Sequence, residues 1–187
     1  MKPTLLLAAL LTVPSFAAEF KVEQKEDSVL HFSIGGKAIC DYQMEAGDVP
    51  EGVSAVFKHG AHLHPIYSPS GKLVTGNHPD DHRWHRGVWM AWTKTEFGDA
   101  HPDFWNQGKG DGKDKSGDKI IAEVRFAKLE KMWGGPDGGG FISQHQFLDH
   151  SHAPDQKVLD ETWEVAVSQQ TLDDKPANII DLTSTQT

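Results

Sequence analysis

The chain has 187 residues, of which 37% are hydrophobic, 24% charged and 9% aromatic, with a formal net charge of -9 at pH 7. An acidic domain gains nothing from phosphate backbones or anionic headgroups, which argues against nucleic acid and charged membrane surfaces as partners. The one cysteine, Cys40, cannot staple its own chain, so the fold must rest on an apolar core.

The first recognisable segment is an address rather than a structural element. Lys2, the apolar run at 5–13 and the small-residue stretch Pro14-Ser15-Phe16-Ala17-Ala18 have the form of a secretory signal peptide, with cleavage expected after Ala17. The run is far shorter than the ~20 apolar residues that span a bilayer. No later segment is apolar enough to do so. The expected product is a secreted or periplasmic protein with no membrane span, and residues 18–187 suffice for one domain with its own core.

Residues 28–34 and 37–43 alternate as strands do, and Gly35-Gly36 between them tolerates the positive φ of a two-residue hairpin turn. Cys40 in the second of these strands is expected as a small buried apolar residue. Ile120, Ala122, Val124 and Phe126 share one face of a further strand, although 127–131 also admits a helical reading. Residues 141–148 and 178–182 are expected to be strands. In 157–167, Leu159, Glu161, Trp163, Val165 and Val167 share a face, and Trp163 is expected to pack in the core. The polar ending 183–187 suggests no element. Two loops are expected, a charged glycine-rich one at 106–118 and another at 133–140 with Trp133 at its mouth. The first has a trace of a calcium loop but lacks its closing glutamate. Without any long capped amphipathic helix, the pattern predicts an all-β chain, an antiparallel β-sandwich.

One quarter of the chain is unusual. Residues 59–105 hold His59, His62, His64, His78, His82, His85 and His101 together with Trp84, Trp89, Trp92 and Trp105. Its centre reads Asp81-His82-Arg83-Trp84-His85-Arg86-Gly87-Val88-Trp89. Imidazole, guanidinium, carboxylate and indole at this density suit a pocket that holds a polar ligand against flat rings. The turn chemistry of Asn77-His78-Pro79-Asp80-Asp81 allows His82 and His85 to converge. In one arrangement His82 and His85 act as acid/base or ligand-orienting groups, Asp81 orients them, and Arg86 clamps an anion or hydroxyl through its planar fork. His64, Trp89, Trp105 and Asp103 are then ligand-binding candidates. In a second arrangement His64, His82 and His85 hold a divalent metal with an open position. A third makes the cluster a buried hydrogen-bond network in a non-catalytic structural or partner-binding domain. Trp89 and Trp92, three apart, would face opposite sides of a strand, so at least one belongs to the core.

The ordered series His64-Pro65-Ile66-Tyr67-Ser68-Pro69-Ser70-Gly71, Val74-Thr75, Asp81-His82-x-x-His85-Arg86-Gly87-Val88-Trp89, Gly98-Asp99 and Asp103-Phe104-Trp105 resembles the PmoA-like family of exported bacterial proteins. The similarity is concentrated in 59–105 and continues weakly through Glu161-Thr162-Trp163 to Asp181. It implies an all-β, secreted protein of bacteria that degrade complex polysaccharides, with no established reaction. Its "methane oxygenase" label does not fit a chain lacking a spanning helix after its leader. Members run well beyond this length, which implies that residues 18–187 are the N-terminal portion of a longer domain, its sandwich incomplete at the C-terminus. Where members carry a third histidine between His82 and His85, this chain has Trp84. The expected ligand is a small molecule or glycan, of carbohydrate or sugar-derived type. The sequence sets no substrate and no oligomeric state.

Overall fold

A computed structural model describes residues 19–109 and 120–187. The leader at 1–17 and most of the glycine-rich loop at 106–118 lie outside the described residues. The first sheet contains β1 (Phe20–Lys25), β2 (Val29–Ile34), β3 (Lys37–Gln43) and β4 (His62–Ile66), hydrogen-bonded in that order. Short pairs follow at β5 (Pro102–Asp103) and β6 (Gly108–Lys109). The second sheet contains β7 (Ala122–Gly135), β8 (Gly138–Asp149), β9 (Gln156–Leu172) and β10 (Lys175–Gln186), each paired to its predecessor. All pairings are antiparallel. The fold is an all-β sandwich.

The β2–β3 hairpin turns at Gly35 and Gly36, with φ of 54° and 78°. Two successive positive φ values match the right-handed twist of the flanking strands, and glycine adopts them without steric cost. Expectation and structure differ at three places in the second sheet. Residues 127–131 are not helical: β7 runs through them, with register shifts between Phe126 and Lys128 and between Leu129 and Lys131. Such bulges break the two-residue alternation, which is why the segment also reads as helical. The loop expected at 133–140 shrinks to Pro136-Asp137, because Gly134↔Gly139 and Gly135↔Gly138 pair as strand. The glycines there make room, since a Cβ at Gly140 would lie 2.2 Å from the Trp133 ring. Finally, 183–187 is no loose end, for β10 continues to Gln186 opposite Glu161.

The core lies between the sheets. Phe32, Ile39, Tyr42 and Leu63 from the first meet Phe141, Trp163, Val165 and Val167 from the second. Tyr42 stacks on Phe141 at 4.1 Å between ring centroids. Each fully buried Leu or Phe here contributes about 1.5–3 kcal/mol of transfer free energy. Cys40 is buried among them, and its thiol is pushed up to about 12, first by burial and then by Asp41. A smaller cluster joins Phe104 to Phe147, edge to face at 4.8 Å, with Ala61, Ala122 and Val124. It anchors the segment between β4 and β7 to the second sheet.

One polar network crosses this core. The Tyr42 hydroxyl lies 2.7 Å from His145 Nε2, Ser143 Oγ is 3.1 Å from the same nitrogen, and His145 Nδ1 is 2.9 Å from Glu161 Oε2. Ser184 and Gln186 donate to the other Glu161 oxygen. The serine, histidine and glutamate have the connectivity of a hydrolytic triad, but all three are buried within the sandwich. With no access for a substrate, the group joins the sheets rather than doing chemistry.

Candidate functional site

β4 is the edge strand of the first sheet, and its alternation places His62 and His64 on one face while Leu63 enters the core. Gln43 pairs directly with His62 across the β3–β4 ladder. Beyond β4 the chain returns beside it: Leu63 and Val88 exchange backbone hydrogen bonds at 2.9 and 3.0 Å, and Asn77 opposes Arg86 in a second bridge. The approach is so close that a Cβ on Gly87 would lie 2.0 Å from the Leu63 carbonyl oxygen and 2.8 Å from His64 Cβ. Glycine at 87 is therefore a packing requirement. His78 adopts φ of 49° in the turn foreseen around Pro79.

These elements enclose a cavity of about 300 Å³ lined by Gln43, Gly47, Asp48, His59, His62, His64, Asn77 and His78. Four imidazoles face one space. His62 Nδ1 donates to the Gly60 carbonyl at 3.2 Å and His78 Nδ1 to the Arg83 carbonyl at 2.6 Å. A carbonyl only accepts, so in each neutral ring Nε2 is left as an acceptor. His59 is the reverse: its Nδ1 lies 3.1 Å from the Gln107 amide nitrogen, a donor, so its Nε2 carries the proton. His64 Nδ1 lies 2.9 Å from Thr75 Oγ1, which also accepts from the Ile66 amide. The cavity thus offers both donors and acceptors.

His59, His62 and His64 are held neutral at pH 7. Burial first, and Arg86 second, pull His62 down to about 3 and His59 well below the usual imidazole range. Burial, followed by His78, also lowers His64 against the opposing influence of Asp41. A base of such low affinity for protons is a poor proton acceptor near neutrality, so this arrangement favours hydrogen bonding over acid–base transfer.

Arg86 does not line the cavity, yet it is buried (1% exposed) and acts electrostatically on both His59 and His62. Its guanidinium carbon sits 4.1 Å from the Trp89 ring centroid, a cation–π contact. Trp89 in turn stacks on Trp105 at 5.0 Å and 22°, and His85 approaches Trp105 at 5.7 Å. Burial drives the Arg86 guanidinium down from its usual value, opposed by Glu123, but a guanidinium keeps its proton at any accessible pH.

The anticipated site is therefore only partly assembled. His64 faces the cavity, and Arg86 and Trp89 are buried beside it. Asp81 and His82 stand on an exposed turn, paired with each other at 3.2 Å with side chains 79% and 52% exposed. His85 is half-buried against Trp105, lowered by burial and then by His82 and Arg86. Asp103 is fully buried and away from the cavity lining: its oxygens accept from the Asn106 amide and side chain and from Thr93. It fixes a turn. Among the described residues no three His, Cys, Asp or Glu side chains are grouped to hold a metal ion. His64, His82 and His85 are thus not brought together as ligands here, because a strand face and an exposed turn keep His64 and His82 apart. Sequence reasoning passed over His59, His62, Gln43 and Asn77. The two-residue spacing of His62 and His64 was the available signal, since in an extended strand it puts both rings on one side.

Fold and cavity together define an all-β sandwich protein with an imidazole-lined pocket on a sheet edge. A family model described as "Family of unknown function (DUF6807)" matches residues 29–187, and the chain belongs to that family. Comparison with curated proteins finds no match, and comparison with solved structures finds none either.

Proposed function

We propose that this protein is an exported carbohydrate-binding sandwich, in which the cavity on β4 receives one polyhydroxylated, sugar-type ligand. The observation that carries this reading is the set of four imidazoles, with Gln43 and Asn77, around a space of about 300 Å³. That volume is at the small end of ligand sites, roughly 300–1,000 Å³. Hydroxyl groups both donate and accept, and so does this wall: His59 Nε2–H donates, while His62 and His78 Nε2 accept. Asn77 Oδ1 is buried without a partner among the described residues. The sequence resemblance to PmoA-like proteins, exported by polysaccharide-degrading bacteria, agrees with a sugar ligand, and the leader-like residues 1–17 agree with export. No helix of the described residues is long and apolar enough to cross a membrane. Since His59, His62 and His64 are poor bases at neutral pH, recognition is the role we assign, without a reaction.

Isothermal titration of the full chain against a panel of mono- and oligosaccharides tests the reading. Binding by the wild type, lost in His62→Ala and His64→Ala variants that keep the wild-type circular dichroism spectrum, is the expected result. A folded wild type that binds no sugar, or variants that bind undiminished, would overturn it.

A further inference from the structure

Beside this cavity the buried Arg86 is paired with no carboxylate among the described residues. Arg86 Nε and Nη2 are inaccessible and make no hydrogen bond among the described residues. The carboxylate that acts on it electrostatically, Glu123, is already engaged: its oxygens accept from Arg125 at 2.7 and 3.3 Å, and one lies 3.1 Å from His150 Nε2. Removing a guanidinium from water without a partner is strongly unfavourable, and buried charges are normally paired. The neighbouring imidazoles do not compensate, since they are neutral and carry no negative charge. Three further buried atoms without a partner among the described residues, His59 Nε2, Asn77 Oδ1 and Gln107 Oε1, gather around the same place. Gln107 holds His59, His59 and Asn77 line the cavity, and Asn77 directly opposes Arg86. Directly opposed residues of an antiparallel pair project from the same face, so Arg86 is on the cavity side of its segment. Unsatisfied polar groups this concentrated call for a specific explanation, and a ligand group of opposite charge supplies one.

We propose that the ligand of this cavity is an acidic sugar, a hexuronate-type unit whose hydroxyls meet His59, His62, His64 and His78 and whose carboxylate pairs with Arg86, which lies enclosed behind the lining and is reached when the side chains between them shift. The inference rests on the sugar-binding reading above and adds the charge. A planar carboxylate can take two parallel hydrogen bonds from a guanidinium, and its negative charge replaces the missing counter-ion. Trp89, 4.1 Å from the guanidinium carbon, limits how the fork can turn.

The test compares three probes on the wild-type full chain by isothermal titration: D-galacturonate, its methyl ester and D-galactose, with the glucose series alongside. The ester keeps the hydroxyls and removes the charge. The expected result is that the acid of one series binds at least ~10-fold more tightly than its ester and its neutral sugar, a difference of about 1.4 kcal/mol. Neutral sugars or esters that bind as tightly as acids would overturn this inference and leave the sugar-binding reading standing. Binding of none of the probes, nor of any sugar in the wider panel, would remove both. Arg86→Lys supplies a second measurement. A folded variant should lose most of the preference for acid over ester, because an ammonium cannot form the bidentate pair, and a preference retained in full would count against Arg86. Should the variant fail to fold, the wild-type comparison of acid with ester decides alone.

Discussion

Tyr42 and His145 meet at 2.7 Å between the two sheets, a phenol from β3 against an imidazole from β8, with Glu161 on the far side of the ring. The bond ties the first sheet to the second through polar atoms in the middle of an apolar core. Tyr42→Phe leaves His145 Nε2 with only Ser143 and should cost about 1–2 kcal/mol in urea unfolding. Glu161→Gln turns one of the two oxygens that accept from His145, Ser184 and Gln186 into a donor and removes the charge, and should cost more, about 2–4 kcal/mol. A purely structural network predicts no change in ligand affinity for either variant that remains folded.

Stability should fall on acidification from neutrality. The buried His59 and His62 bind protons far more weakly in the folded state than at the ordinary value of 6.5, with His62 near 3. The unfolded chain therefore takes up protons that the folded one refuses. The stability linked to these rings is present above pH 6.5 and is lost as pH falls towards 3, at about 1.4 kcal/mol per pH unit for each ring. Glu161 adds to this at lower pH. Burial pushes its carboxyl up, but hydrogen bonds from His145, Ser184 and Gln186, with the charge of His145, outweigh it and leave the group lowered. Its contribution is present above the ordinary carboxyl value and disappears as pH falls through the lowered one. Melting temperature measured from pH 8 to 4 should decline below 6.5, and His62→Gln should make the decline shallower.

The exposed turn at 81–82 should be dispensable. Asp81→Asn and His82→Ala lose only their mutual pair and the contact of His82 with the Trp84 ring, and each should change stability by no more than ~0.5 kcal/mol. Neither should alter ligand affinity by more than about twofold, whereas His62→Ala should weaken it at least ~10-fold. A large loss of binding on His82→Ala, with His62→Ala silent, would move the site from the cavity to the turn.

Gly87→Ala tests the close approach of the returning strand. Its methyl would press on the Leu63 carbonyl and on His64, so β4 or the 86–88 segment must shift. Overpacking of this kind costs about 1–3 kcal/mol. The displacement acts on the strand that carries His62 and His64, so thermal denaturation and titration should both register it. A variant with unchanged melting temperature and affinity would show that the segment is free to move.

Much of the sandwich was legible because its strands obey simple rules. Gly35-Gly36 announced a hairpin, and the alternation of Trp163, Val165 and Val167 gave a buried face that the structure keeps. Trp89 at 7% exposure and Trp92 at 49% divide between core and surface as opposite-facing residues should. The errors come from places where local pattern is overridden. Bulges in β7 disguised strand as helix, and the glycines around Pro136-Asp137 read as loop although they pair. The site was legible as a segment but not as a geometry. Local turn chemistry points to His82 and His85, three apart, while the cavity is built by tertiary pairing of β4 with Val88 and of Asn77 with Arg86. Nothing in the local sequence announces that Arg86 is buried or that Asp103 spends its oxygens on Asn106. Those facts depend on which segments cross.

Every residue lining the cavity comes from β3, β4 or the chain between Met44 and His78, and none from the four long strands that end the chain. Those four strands are consecutive hairpins, whose pairings join near neighbours in sequence. The cavity wall can therefore be rewritten by substitutions or insertions on one side of the sandwich while the meander opposite stays untouched. Relatives built on this plan are free to diverge in what they hold without having to reinvent what holds them up.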